Sequence, residues 1–229
     1  MPESFPYSAA RACLDDGLAR MGLEAVDKGT REALLIYLAE MLRWGKVHNL
    51  TGVVEPLDMV RRHLLDSLAF LPFLPAGAVV DVGSGAGLPG IPLAAARPEQ
   101  EFFLVEPGVK RAAFLQHIRA RLQLSSVMVC AARVESADLP ASPDVLVSRA
   151  TAPVPRFLRM VDHLLRPGTR LLLAKGPGWQ AEIAQCPPEV TGDLGVHHLE
   201  IPGIPGRVIL DWRVPPGPVR QRASGRLGR

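Results

Sequence analysis

The run Asp81-Val-Gly83-Ser84-Gly85-Ala-Gly87-Leu88-Pro89-Gly90 gathers the residues best suited to hold a charged ligand. It follows a short apolar stretch and precedes residues with helical spacing. Glycines at such a junction permit a tight turn and let a ligand approach the backbone. The start of the next helix presents N–H groups to a negative group. Pro89 suits its first turn, where the missing N–H would have no partner. Glu106 ends the following apolar run, 23 residues after Gly83. A carboxylate there accepts two hydrogen bonds from a ribose diol.

Two cofactors compete for this loop. Gly85-Ala-Gly87-Leu88-Pro89-Gly90 matches the G-x-G-x-x-G dinucleotide pattern, a weak signal alone. S-adenosylmethionine is the favoured reading, with its methionine carboxylate at the loop and its ribose on Glu106. Asp81, two residues before the first glycine, suits the ammonium of such a ligand. The chain has no stretch like a dehydrogenase's substrate half, because its spare length is N-terminal and helical. A nicotinamide-dependent oxidoreductase is the alternative.

The elements that must position these residues change character along the chain. Leu14, Leu18 and Met21 share one helical face, and Leu34, Leu35, Leu38, Met41 and Leu42 a second, with Thr30 as a plausible N-cap. Leu57, Val60, Leu64, Leu68 and Leu71 make a third stripe, which turns Arg61, Arg62 and Asp66 away from the core. Trp44 to Val53 reads as a loop or helix end. From Ala78 onward, five short apolar runs alternate with helical spacings, which predicts βαβ units and a parallel sheet. GVHHLEIP and GRVILDWRV add a final pair suited to an antiparallel edge. The expected organisation is a helical extension over 1–75, an α/β domain over 76–214 and a flexible basic tail over 215–229.

Composition excludes several classes. The 229 residues are 48% hydrophobic and 21% charged, ordinary for a globular domain and unlike disordered, collagen-like or coiled-coil chains. The longest mostly apolar stretch, Leu68 to Val80, is broken by Pro72 and Pro75 and is too short to span a bilayer. The N-terminus lacks a secretory pattern. Cys13, Cys130 and Cys186 are odd in number and widely spaced, so buried thiols in a reducing cytoplasm are expected, with neither disulfides nor a metal site. The net charge is +3, and Arg213 to Arg229 alone carries five arginines and no acid. Non-specific affinity for a polyanion is therefore modest and salt-sensitive.

Several segments taken together resemble the RsmG (GidB) family of bacterial methyltransferases. They are Trp44-Gly-Lys46 with Asn49-Leu-Thr51, Arg62-His63-Leu-Leu-Asp66-Ser67, and Asp81 to Gly90 followed by Ile91-Pro92. They continue with Glu106, Lys110-Arg111 and Phe114-Leu115, then Arg133-Val134-Glu135, Ser148-Arg149-Ala150 and Lys175-Gly176. The resemblance implies a class I S-adenosylmethionine-dependent methyltransferase fold, a Rossmann-like seven-stranded and mostly parallel sheet with a helical N-terminal extension. It implies formation of 7-methylguanosine in small-subunit (16S) ribosomal RNA, with that RNA or the small subunit as partner; a monomeric cytoplasmic enzyme is expected. It implies cofactor contacts from Gly83, Leu88, Val134, Glu135 and Arg149, beside Asp81, Ser84, Gly85, Gly87 and Glu106 read from the loop itself. A non-catalytic ribosome-assembly factor that binds the cofactor is a further alternative.

Guanine N7 carries an in-plane lone pair and no proton, so its methylation needs alignment and no general base. Arg149 is then a positioning group. Lys46, Arg62, His63, Lys110, Arg111, Arg133 and Lys175 are the candidate RNA contacts. His63 and Asp66 are helical i, i+3 neighbours, so a hydrogen bond between them is plausible. Asn49 and Thr51 cap a helix or shape the cleft, with capping the preferred reading. Trp44, Trp179 and Trp212 are candidate stacking surfaces, with core packing the stronger reading for Trp44.

Overall fold

The structure, a computed structural model, describes residues 5–48, 50–137, 139, 143–149 and 151–216. Asn49, Ala150 and the tail from residue 217 onward lie outside the described residues, and so do the roles read for Asn49 and for the basic tail.

Each apolar run after Ala78 forms a strand: β1 (Val79–Val82), β2 (Phe102–Val105), β3 (Val127–Cys130), β4 (Val145–Arg149), β5 (Arg170–Lys175), β6 (Gly195–Ile201) and β7 (Ile204–Arg213). They build one seven-stranded sheet in the order 3-2-1-4-5-7-6. β1 to β5 run parallel, and β7 is antiparallel to both β5 and β6. The terminal pair thus forms the expected antiparallel edge, with β7 inside it. Val208, Ile209 and Leu210 of β7 are buried, whereas β6 buries only Ile201, so the more apolar strand takes the inner place.

Pleating divides the strand residues between two cores. Val79, Phe102, Leu104, Val145 and Val147 face the N-terminal helices together with α5 (Gly90–Ala96) and α6 (Val109–Arg121). Val80, Val82, Phe103, Val105 and Leu146 face α7 (Val154–Val161) and the short α8 (Trp179–Ile183) and α9 (Pro188–Thr191). The N-terminal helices thus share one core with the sheet.

Three local features of those helices differ from the sequence expectations. α1 (Tyr7–Arg20) is followed by α2, which spans Lys28–His48 and is capped by Asp27, not Thr30. The Asp27 carboxylate accepts from the Thr30 N–H at 3.0 Å and from its hydroxyl at 2.5 Å. α2 also continues through Trp44 and Gly45, where a loop was expected. Trp44 packs edge-on against Phe114 of α6, with ring centroids 5.5 Å apart, and this contact holds the last turn.

The third helix is composite: α3 (Pro56–Met59), a π-helical stretch over Val60–Leu65, and α4 (Asp66–Leu68). One extra residue per turn advances the helix face by roughly 100°. Asp66, expected to point away from the core, is fully buried, as is every residue from His63 to Leu71.

The chain leaves β1 toward β2 on one side, while β4 lies against β1 on the other. This reversal of strand order opens a crevice at the carboxyl ends of β1 and β4, where α/β sheets bind ligands.

Candidate functional site

The loop after β1 is shaped by its own backbone. Gly83 and Ser84 donate N–H bonds to the Val105 carbonyl, at 2.9 and 3.1 Å. The Ser84 carbonyl accepts from Gly87 and Leu88, at 2.7 and 2.9 Å. Gly83 and Gly85 have φ of +71° and +59°, a region that L side chains enter at a cost of about 1–2 kcal/mol. A Cβ at Gly83 would strike the Thr151 side chain. A Cβ at Gly85 would meet only the Gly83 carbonyl, at 4.0 Å, so open space lies above that backbone. The Ser84 hydroxyl donates to the Asp81 carbonyl at 2.9 Å and serves the turn itself. Leu88 is buried beneath the loop.

α2 supports the loop from behind. Tyr37, fully buried, donates its hydroxyl to the Ala86 carbonyl at 2.8 Å. Burial drives the Tyr37 hydroxyl pKa well above its ordinary value, so it remains a donor.

Two carboxylates flank the turn. Glu106 is buried, and its Oε2 accepts from Gly85 N at 3.0 Å while Oε1 accepts from Gly108 N at 2.8 Å. Each oxygen keeps lone-pair capacity for a further donor. Asp81 accepts from Gly90 N, at the start of α5, through Oδ2 at 2.9 Å. Its Oδ1 is buried with no partner among the described residues. Burial pushes the Asp81 carboxyl up to about 7, against the opposing pull of the Gly90 N–H. An orphaned acceptor beside an open glycine turn suits a cationic ligand group, and the Glu106 oxygens suit hydroxyl donors. The site therefore fits the methyl donor, which carries both.

The β4 side is built from side chains. Ser148 Oγ and Thr151 Oγ1 lie 3.0 and 2.9 Å from the Val82 carbonyl and 2.7 Å from each other, which ties the end of β4 to β1. Arg149 donates through Nη1 to the Arg62 carbonyl of the π-helical stretch at 2.6 Å and to Asp66 Oδ2 at 3.0 Å. Arg207 of β7 donates from Nε to Asp66 Oδ1 at 2.7 Å and from Nη2 to Oδ2 at 2.9 Å. Val134 is buried and Glu135 exposed in a turn (Val134–Ser136) beyond β3.

The expected RNA contacts divide into two groups. Lys46, Arg62, Lys110, Arg111 and Arg133 are exposed. Lys110 and Arg111 open α6 just after Glu106, and Arg133 follows β3. His63 and Lys175 are buried and present no charge to an RNA surface. His63 is hydrogen-bonded through Nε2 to the Thr51 hydroxyl at 2.9 Å, and burial lowers its pKa to about 4. It does not pair with Asp66, whose oxygens the two arginines occupy. Thr51 also accepts from Val53 N at 3.1 Å, so it shapes its loop and does not cap a helix. Lys175 donates to the Ala152 carbonyl at 2.6 Å and to Glu182 at 2.8 Å, joining β5 to α8 and to the segment after β4. Trp212 is buried and offers no stacking face, whereas Trp179 is half-buried against the second core.

Sequence reasoning missed Tyr37, Thr151, the burial of Asp66, and Arg207. Tyr37 interrupts an aliphatic stripe and carried a signal, because a buried tyrosine needs a partner. Arg207 carried none, being one arginine among many and 141 residues from the carboxylate it grips.

Comparison with known proteins gives a consistent result. The family described as rRNA small subunit methyltransferase G matches residues 30–205, so Arg207 lies just beyond the match. The chain is 43% identical over 196 residues to the ribosomal RNA small subunit methyltransferase G of Xanthomonas euvesicatoria pv. vesicatoria, covering 85% of this chain and 90% of that protein. It is 40% identical over 188 residues to the protein of the same name from Methylobacillus flagellatus, covering 82% and 87%. Among solved structures, a variant of MtNAS in complex with S-adenosylmethionine matches with a TM-score of 0.53 at 20% identity, over 93% of this chain and 86% of that one. The S-adenosylmethionine-dependent methyltransferase SibL matches with a TM-score of 0.54 at 16% identity, over 87% and 77%. The sheet is thus the class I methyltransferase fold. With that fold, that match and those relatives, the chain belongs to the rRNA small subunit methyltransferase G family.

Proposed function

We propose that this protein transfers a methyl group from S-adenosylmethionine to N7 of one guanine in 16S ribosomal RNA, by direct in-line displacement. The observation that carries the reading is the glycine turn at the switch point, with an open face at Gly85 and two buried carboxylates beside it, in a member of this family. The donor supplies a sulfonium methyl that a lone pair can attack. The protein's task is then to bind and align.

In this reading Glu106 accepts the ribose hydroxyls through its remaining lone pairs, and Asp81 Oδ1 accepts from the ammonium. The backbone of Gly83, Ser84, Gly85 and Gly87 lets the methionine end approach, over Leu88. Val134 and Glu135 flank the adenine. Arg149 presents the guanidinium face not spent on Asp66 to the methionine carboxylate or to the base. No residue is assigned as general base, because N7 bears no proton. Lys46, Arg62, Lys110, Arg111 and Arg133 hold RNA phosphates, which fixes orientation and not sequence.

The helical extension over 1–75, the catalytic domain over 76–214 and the basic tail over 215–229 act as one monomeric cytoplasmic enzyme. No described helix is long and apolar enough to cross a membrane. The test is transfer of labelled methyl to ribosomal RNA from cells lacking this protein, offered naked and as small subunits. Label in the 16S RNA supports the reading. Cofactor binding with no label in any RNA supports an assembly factor, and absence of cofactor binding removes the methyl-donor reading altogether.

A further inference from the structure

We propose that Arg207 is a positioning residue for the methyl-transfer site, acting on Arg149 through Asp66. The proposal rests on the cofactor reading above, in which Arg149 faces the ligand.

Asp66 has no solvent exposure and three N–H donors. Arg207 supplies two of them as a fork, one to each oxygen, the geometry in which a guanidinium matches a carboxylate. Arg207 takes a lone pair of each oxygen, and Arg149 makes a single bond to Asp66, to Oδ2 from Nη1. The same Nη1 also reaches the Arg62 carbonyl, which the π-helical stretch presents. Both side-chain hydrogen bonds of Arg149 therefore leave from one nitrogen, and Nε and Nη2 carry no bond to a described residue. Two guanidiniums on one carboxylate also leave this three-residue cluster with a net positive charge.

Without the Arg207 fork, Asp66 is an open two-oxygen acceptor with a single guanidinium nearby. Arg149 then turns to meet it in a fork of its own. That rotation breaks the bond to Arg62 and spends the nitrogens meant for the ligand. The spare positive charge disappears in the same step. Arg207 thus keeps Arg149 from collapsing onto its own partner. The strand next to the sheet edge thereby sets the orientation of a group at the end of β4.

The test is a double-mutant cycle with two readouts, S-adenosylmethionine affinity by calorimetry and single-turnover methyl transfer to RNA. The proteins are wild type, Arg149→Ala, Arg207→Met and the double variant. Whichever readout Arg149→Ala weakens, Arg207→Met weakens roughly tenfold as well, and it adds less than about twofold when Arg149 is already alanine. Arg207→Lys keeps the charge without the fork; it recovers thermal stability and leaves the site defect. If Arg207→Met does not fold, Arg207→Lys and Arg207→Gln carry the same cycle. Equal effects of Arg207 substitution in both Arg149 backgrounds, full recovery of the site by lysine, or no effect of Arg149→Ala on either readout would overturn the proposal. A wild type that binds cofactor but transfers no methyl to RNA removes the reading of function instead, and the affinity cycle still decides the role of Arg207.

Discussion

The two walls of the crevice are built on different principles. The β1–β2 wall is local: Gly83, Ser84 and Gly85 bond to Val105 and Glu106 through backbone N–H groups, and α5 starts on Asp81. The β4 wall is long-range: Arg149, Asp66 and Arg207 come from a strand end, a π-distorted helix and the antiparallel strand β7, 83 and 141 residues apart in their two pairings. A turn made by glycines and backbone tolerates little chemical variation and leaves a readable spacing. A wall made by side chains of distant elements leaves single charged residues that look like surface.

The largest effect that separates the two walls is expected at Asp66. Read as an exposed helix residue, Asp66→Ala should cost under about 0.5 kcal/mol. Read as the buried partner of two guanidiniums, it should cost about 3 kcal/mol, measured by the shift in urea midpoint. A midpoint close to wild type would return Asp66 to the surface and dissolve the β4 wall.

Arg149→Ala comes next. Asp66 keeps its fork from Arg207, so the fold should lose only about 1 kcal/mol. Methyl transfer should fall about a hundredfold, the usual consequence of losing one positioning group. Unfolding of this variant would mean that Arg149 is structural and that the β4 wall has no role in ligand alignment.

Asp81 tests the local wall through pH. Its carboxyl is raised from 3.8 to about 7, so the folded state holds the proton more tightly than the unfolded chain does. Its ionisation therefore opposes folding: the cost is absent below pH 4, grows as pH rises toward 7, and is complete above it. Asp81→Asn should raise stability at pH 8 by about 2 kcal/mol and should change little at pH 4. It should also weaken S-adenosylmethionine binding at least about tenfold, because an amide is a poorer partner for an ammonium. A gain in stability with unchanged affinity would remove Asp81 from the ligand site.

The smallest effect belongs to the exposed rim. Lys110→Ala should reduce RNA affinity several-fold at low salt and lower the salt slope by about 1, with cofactor affinity unchanged. An unchanged slope would place Lys110 off the RNA path.

The same contrast explains how much was legible. All seven strands and the glycine turn followed from apolar runs and glycine spacing; the central parallel strands β1, β2, β4 and β5 are buried on both faces and so are nearly continuously apolar. α2 was legible in its stripe, but its cap fell to Asp27 because that carboxylate reaches both the N–H and the hydroxyl of Thr30. Asp66 was misread because a helical wheel sets it off the apolar stripe, whereas the finished fold buries every residue from His63 to Leu71; that enclosure also buries His63, a candidate RNA contact from the family motif. Lys175 was read as a phosphate contact from its place at a strand end, yet Glu182 on α8 draws it inward. No periodicity encodes either event, since each depends on a partner brought near only by the finished fold.

The central claim is that an aligned guanine N7 is methylated by binding and positioning alone. The most direct measurement is position mapping after a single turnover, by chemical cleavage of the labelled RNA at 7-methylguanosine. The account predicts cleavage at one guanosine of the 16S RNA, carrying the label in full. Label that resists this cleavage, on an exocyclic amine or a ribose hydroxyl, would contradict it, because those acceptors must lose a proton and the site would then need the base this account leaves out.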